Sequence, residues 1–160
     1  MKLLRSNQGG FVFLLGKREK QLLLQTLQLY PLVPASHHHL AKAGDSPEDQ
    51  ERQRLLDEAL AEHRRENRRH VQAMLNEPNR FVETEAGTQL HLGATHVEWL
   101  LQVLNDIRVG SWLALGEPES GEEPKPDKHN AHCFLALEVC GLFESALLAA
   151  LGVQESPRWR

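Results

Sequence analysis

The sequence predicts a mostly α-helical protein, a bundle of about four helices with a short N-terminal β-hairpin. Three observations predict this class. Apolar residues recur at three- and four-residue steps over four long segments, prolines and glycines separate these segments, and strand-like patterns are confined to short runs. The chain has 160 residues, a length that is typical of one domain with a core that needs no disulfides or metals.

The N-terminus is predicted to form the hairpin and then the first helix. Two short apolar runs, 2–5 and 11–15, flank the turn-forming segment 6–10. A lone hairpin is marginal in water, so this one must pack on helices. A helix is expected over 18–30, with leucines on one face, and Pro31 ends it.

The second helix is predicted from about residue 47 to 76, with Asp45 or Ser46 as its N-cap. Residues 48–62 contain six acids and two bases, whereas residues 63–80 contain two acids and five bases. This order complements the helix dipole. The predicted inward stripe recurs at steps of three or four: Leu56, Leu60, His63, Asn67, Val71 and Met74.

The second half of the chain allows a second small hairpin near 81–92 and then predicts the third helix. Thr95 and Glu98 have the spacing of a capping box at the start of that helix. The helix runs to about residue 115. Apolar residues lie on most of its sides, so it should be central and buried.

The remaining segments complete the expected domain organisation, a single helical domain over 1–151. Residues 116–126 contain three prolines, two glycines and four glutamates, which predicts a flexible internal loop. The fourth helix is expected over 127–151, and 152–160 form a tail. Because the apolar fourth helix contains two glutamates, which are costly at bilayer depth, a buried bundle helix is predicted instead of a membrane span.

Composition narrows the function classes. A net charge of −4 argues against general affinity for nucleic acid or anionic membranes. The chain contains only two cysteines, which excludes a disulfide scaffold and fits a reducing compartment, so a cytoplasmic location is expected. The sequence contains no catalytic motif, no phosphate-binding glycine loop and no cofactor signature, so a non-enzymatic protein without cofactors is predicted.

An unusual polar cluster, Asn105, Asp106 and Arg108, interrupts the apolar third helix. Buried polar groups must be hydrogen-bonded and buried charges paired, so a polar network that fixes helix packing is predicted. The alternative is a pocket for a ligand or partner. Arg108 is expected to pair with Glu138, Asp57, Glu58 or Glu66. Asp106 is expected to meet Arg64, Arg68 or His63.

Two histidine-containing segments raise the question of metal binding. His63, Glu66 and His70 have helical ligand spacing, but arginines surround them and would repel a cation. Residues 37–39 are three consecutive histidines in a loop, with no supporting ligand pattern. No metal site is predicted at either place, although the sequence leaves the question open.

The segment 99–108 resembles the signature Trp-Leu-x-x-Leu-Asn-Asp-x-Arg of a bacterial family known as domain of unknown function 2017. This chain has one residue more between the two leucines. The match places five residues: Trp99, Leu100, Asn105, Asp106 and Arg108. The resemblance implies a small helical protein with no established enzymatic activity. Its relatives are often encoded beside the adaptor of an ATP-dependent protease, which implies regulatory or adaptor work.

The sequence therefore predicts an interaction or regulatory, adaptor-like domain with a protein partner, no nucleic acid and no membrane. A homo-oligomer is left open. The alternative is a helical bundle that binds a metal or a small ligand. The predicted network or partner site comprises Trp99, Asn105, Asp106, Arg108, His63 and Asn67.

Overall fold

The computed structural model of the protein describes residues 1–7, 10–34, 37, 46–119 and 127–152. The elements in chain order are β1 (Lys2–Asn7), β2 (Gly10–Leu15), α1 (Lys17–Leu27), α2 (Pro47–Asn76), β3 (Phe81–Thr84), β4 (Gly87–Leu92), α3 (Ala94–Ala114) and α4 (Ala131–Ala150). The prediction of a mostly α-helical bundle is wrong. The described chain is a mixed α/β fold, in which four helices accompany a four-stranded antiparallel sheet.

The two hairpins join into one sheet, and this is what the sequence-based prediction missed. Both hairpins form where they were expected, but β2 also pairs with β4, so the strand order is β1-β2-β4-β3. Phe13 lies opposite Leu90 across this junction, and both side chains are buried. A Cβ at Gly10 would collide with the carbonyl oxygen of Leu92, so the junction requires glycine there.

The core lies between the helices and one face of the sheet. Alternate residues of β2 and β4 point into it, as the twofold period of a strand requires. Helix α3 is central, as predicted, and α4 packs along it. In α3, Val97, Val103 and Leu104 are at most 1% exposed. Burial of apolar surface of this kind is the main favourable contribution to folding.

Helix α2 is the most exposed of the described helices, because only one stripe of its surface is buried. Ser46 caps it, and the Ser46 Oγ accepts a hydrogen bond from the Asp49 N–H at 3.2 Å. Of the predicted inward stripe, Asn67, Val71 and Met74 are buried. His63 is exposed, so that part of the prediction is wrong.

Chain segment 30–33 folds back against α3 after α1 ends at Leu27. Tyr30 and Val33 are buried there. The close approach depends on Gly110, since a Cβ on this residue would lie 2.6 Å from the carbonyl carbon of Leu32. This segment forms one wall of the site described below.

Helix α4 is long and apolar enough to cross a membrane by length and composition, and 39% of its most apolar window is buried inside the fold. It begins at Ala131, four residues after the predicted start, because residues 128–130 form a turn. The predicted flexible loop lies outside the described residues over 120–126, and the predicted tail lies outside them over 153–160.

Candidate functional site

A groove of about 460 Å³ lies between α2, α3 and the segment that follows α1. We call it the polar groove. It contains four of the six predicted site residues. Its lining comprises Tyr30, Val33, His37, Leu60, His63, Arg64, Asn67, Gln102, Asn105, Asp106 and Val109.

Asp106 fixes the far wall of the polar groove. Its Oδ1 accepts hydrogen bonds from the backbone N–H groups of Leu32, at 2.6 Å, and Val33, at 3.2 Å. Its Oδ2 lies 3.7 Å from Nη2 of Arg64. Of the three partners that were expected for Asp106, Arg64 is the one that forms this ion pair. The two backbone donors were missed, because they lie more than 70 residues away in the chain.

A chain of amide hydrogen bonds forms the floor of the polar groove. Buried Asn67 donates from Nδ2 to Oε1 of Gln102 at 3.2 Å, and the same nitrogen lies 3.1 Å from Nε2 of His63. The Tyr30 hydroxyl is also hydrogen-bonded to Asn67, while burial raises the pKa of this hydroxyl above its ordinary value. His63 and Asn67 therefore belong to one hydrogen-bonded network.

Asn105 stands at the open side of the polar groove. The side chain is exposed and makes no hydrogen bond with the described residues. An amide carries two N–H donors and one carbonyl acceptor, so Asn105 can bond to a bound molecule without losing any internal contact. Among the lining residues, Asn105 has the donors and acceptor that are most clearly available to a bound molecule.

Arg108 lies away from the polar groove, and its predicted partners are wrong. Its Nη1 donates to Oε2 of Glu144 on α4 at 3.0 Å. The Arg108 side chain is 52% exposed, whereas that of Glu144 is 9% exposed. Burial raises the pKa of the Glu144 carboxyl above its usual range, and the Arg108 charge partly offsets this. The pair joins α3 to α4, and neither residue lines the polar groove.

Trp99 lies nearer the N-terminus of α3 and is not part of the polar groove either. Its ring stacks on that of His70, with centroids 4.0 Å apart and planes inclined by 17°. The His96 ring meets it edge-on at 5.6 Å. Three aromatic rings therefore pack α2 against the start of α3. The predicted site divides into a groove and two separate packing contacts.

A second cavity of about 240 Å³ adjoins the polar groove at Tyr30. We call it the apolar pocket. Its lining comprises Leu24, Leu27, Gln28, Tyr30, Arg68, Val71, Gln72, Leu75 and Val103. Arg68 donates from Nη2 to the carbonyl oxygen of Tyr30 at 3.0 Å, at the boundary of the two cavities. The sequence did not predict Tyr30 or this pocket as part of the site.

The histidines discussed for metal binding do not converge where the structure describes them. His70 Nε2 lies 4.0 Å from Oε1 of Glu66, but His63 faces Asn67. Within the described ranges, no three His, Cys, Asp or Glu side chains are grouped so that they could hold a metal ion. Residues 38–39 of the histidine run lie outside the described residues.

Comparison with family models, with curated proteins and with solved structures found no match. The resemblance of segment 99–108 to domain of unknown function 2017 therefore stays a prediction.

Proposed function

We propose that the protein is an adaptor-like interaction domain that binds an extended segment of a partner protein in the polar groove and the adjoining apolar pocket. The observation that carries this proposal is the exposed amide of Asn105, which bonds to none of the described residues, beside a wall that Asp106 holds in place. A rigid wall with free donors and acceptors favours binding, since little order is lost on association.

The charges of the two cavities indicate the chemistry of the partner segment. Arg64 and Arg68 lie on the α2 wall, and Asp106 is the one carboxylate in the described lining. Asp106 is already occupied by two backbone donors and Arg64. An acidic side chain next to an apolar one would suit this arrangement, because the carboxylate meets arginine while the apolar group enters the pocket.

The resemblance to domain of unknown function 2017 supports the same proposal, since it implies adaptor work without catalysis. A cytoplasmic location belongs to this proposal as well. The free cysteines among the described residues, Cys133 and Cys140, are buried and suit a reducing compartment.

A second candidate function is the binding of a small polar ligand. The observation that favours it is the volume of the polar groove, about 460 Å³, which lies within the range of about 300–1,000 Å³ typical of ligand pockets. Mass spectrometry of the natively purified protein tests this alternative, since a retained ligand would add mass that disappears on denaturation.

The main test is photo-crosslinking in the native cell with a photoreactive residue at Gln102, inside the polar groove. The matched control carries the same residue at Ala114, which is exposed on the same helix and outside the groove. We expect a protein adduct from position Gln102 only. The adduct should disappear on Asn105→Trp, which fills the groove. An adduct that forms equally at Ala114, or that survives Asn105→Trp, would refute the proposal.

A further inference from the structure

Helix α4 has one side that no other element covers within the described residues. Two leucines on this side, Leu135 and Leu142, are 52% and 73% exposed, and Leu142 is the most exposed large hydrophobic side chain in the described part of the chain. Glu138, Ser145 and Ala149 are exposed as well. These five residues follow one another at steps of three or four, so they form one stripe along the helix. We call this stripe the outer face of α4.

The outer face of α4 has the properties of a surface that contacts another helix. Single exposed leucines are common on proteins, but two leucines on one uncovered helix face form a patch that normally meets another molecule. The small side chains of Ser145 and Ala149 leave room for a second helix to approach. Glu138 lies between the two leucines, and a carboxylate is costly at bilayer depth, so the face suits a protein surface better than a lipid one.

We infer that the outer face of α4 binds the same face of a second copy of this chain, with the two helices antiparallel about a twofold axis at Leu142. A twofold interface uses the same patch on both copies. With Leu142 on the axis, this side chain packs against its own symmetry mate. Leu135 then lies opposite Ala149 of the second copy, because the two positions are equally far from Leu142 in opposite directions. A large side chain therefore meets a small one at both ends of the contact.

The same arrangement brings two available charges together. The half-exposed Arg108 donates from Nη1 to Glu144, and its other N–H groups bond to none of the described residues. The Glu138 carboxylate has no hydrogen bond or ion pair with the described residues either. With a rise of about 1.5 Å per residue, Glu138 of the second copy lies level with Ala146, about 3 Å along the axis from Glu144. It is therefore at the height of the Arg108 guanidinium.

Both charges also lie on the same flank of α4. Cys140 and Leu147 are fully buried on one flank, whereas Gly141 and Leu148 on the other flank are only partly buried. The half-exposed Arg108 side chain must therefore reach Glu144 along the flank of Gly141, which is also the side towards which Glu138 points. A twofold axis perpendicular to both helices keeps matching flanks on the same side of the interface. Arg108 and Glu138 of the second copy can thus form an ion pair at the rim, which favours this register.

The extent of the outer face sets the strength of the dimer. Helix α4 has 20 residues, so half of its surface, a strip about 30 Å long on a cylinder about 10 Å across, amounts to roughly 500 Å². Two copies would bury about 1,000 Å², which is less than the roughly 1,200–2,000 Å² of stable interfaces. We therefore expect a weak dimer that dissociates on dilution. The outer face shares no residue with the polar groove or the apolar pocket, so this inference does not depend on the proposed function.

Sedimentation velocity from micromolar to millimolar concentration tests the inference. We expect the wild type to shift from monomer to dimer. Leu142→Asp places two carboxylates against each other on the axis and should stay monomeric throughout. The matched control, Leu55→Asp, changes a leucine of α2 that is 53% exposed and should dimerise as the wild type does. Glu138→Lys should weaken the dimer more than Glu138→Gln, because it brings a second cation to Arg108. Circular dichroism checks that each variant is folded.

Disulfide cross-linking with oxidised glutathione tests the direction of the helices. Leu142→Cys should give a cross-linked dimer, because the two introduced thiols meet at the axis within disulfide reach. Leu135→Cys should not, since an antiparallel arrangement separates its two copies by about 21 Å along the helices. The native Cys133 and Cys140 are buried, so the wild type should give no cross-link.

Four outcomes would overturn the inference. The first is a wild type that stays monomeric at millimolar concentration, and the second is a Leu142→Asp variant that dimerises normally. The third is equal cross-linking of Leu135→Cys and Leu142→Cys, which would exclude the antiparallel arrangement. The fourth is binding of the monomer to phosphatidylcholine vesicles that is lost in Leu142→Asp, which would assign the outer face to a lipid surface.

Discussion

Arg108 of α3 and Glu144 of α4 form an ion pair whose two members differ in burial. The Glu144 side chain is 9% exposed and the Arg108 side chain is 52% exposed, and Nη1 of Arg108 lies 3.0 Å from Oε2 of Glu144. The second oxygen of Glu144, Oε1, is buried and has no hydrogen-bond partner in the part of the chain that the structure describes. The buried carboxylate therefore depends on a single half-exposed partner.

The first prediction follows from that dependence. Arg108→Ala should lower the free energy of unfolding by about 1–3 kcal/mol, because it leaves a buried acceptor unsatisfied. The loss stays below the roughly 3–5 kcal/mol of a fully buried pair, since water already reaches the guanidinium. Chemical denaturation measures this change in the free energy of unfolding. Arg18→Ala, at an exposed arginine that has no ion pair or hydrogen bond of its side chain among the described residues, is the control and should change stability by no more than about 0.5 kcal/mol.

The second prediction concerns pH. Burial raises the pKa of Glu144 above the ordinary value of 4.5, so the folded state binds a proton more tightly than the unfolded state does. The contribution of this group to stability is therefore present at low pH and declines as the pH rises through 4.5 towards the folded-state pKa. Glu144→Gln should remove this decline.

Denaturation midpoints measured between acidic and neutral pH test the second prediction. Glu138→Gln changes an exposed carboxylate on the same helix and should keep the decline seen in the wild type. If Glu144→Gln and wild type have parallel pH profiles, the Glu144 carboxyl is not the group that titrates.

The third prediction concerns Asp106, which accepts the backbone N–H groups of Leu32 and Val33. Asp106→Ala leaves both donors without their acceptor and should cost at least about 3 kcal/mol, because two hydrogen bonds to a charged group contribute about 1.5–3 kcal/mol each. Hydrogen exchange should also become faster at these two amides. The neighbouring Asn105→Ala is the control, and it should leave stability nearly unchanged. Equal stability of both variants would contradict this role of Asp106.

The fourth prediction compares two glycines within helices. A Cβ at Gly110 would lie 2.6 Å from the carbonyl carbon of Leu32, whereas a Cβ at Gly141 would meet nothing within 4 Å. Gly110→Ala should therefore destabilise by about 1–3 kcal/mol through overpacking. Gly141→Ala should stabilise by about 0.5–1 kcal/mol, because alanine loses less conformational entropy in a helix. Thermal unfolding of both variants distinguishes them, and changes of the same sign would refute the packing described at Gly110.

Local patterns determined the elements of this fold. The helical periods of α2 and α3 and the short strands of both hairpins are visible in the sequence because each depends on neighbouring residues. The fold class was wrong because β2 and β4 are separated by more than 70 residues, and nothing local specifies that two distant strands pair.

The site was predicted in part for the same reason. The sequence could identify Asn105, Asp106 and Arg108 as polar residues on an apolar helix, and it gave Arg64 as one of three candidate partners of Asp106. It could not place Arg108 beside Glu144, because the rotation of α4 about its axis depends on packing. The sequence also could not identify the backbone N–H groups of Leu32 and Val33 as donors to Asp106, because their position depends on how segment 30–33 folds back.

The sequence by itself thus determined which segments are helices or strands and which residues are out of place on an apolar face. Only the tertiary structure decided that Asp106 supports a groove while Arg108 supports a helix contact. The role of Asp106 depends on the close approach of Gly110 to Leu32, and the role of Arg108 depends on the packing of α4 on α3. Such contacts form between residues far apart in the chain, so no local sequence pattern encodes them.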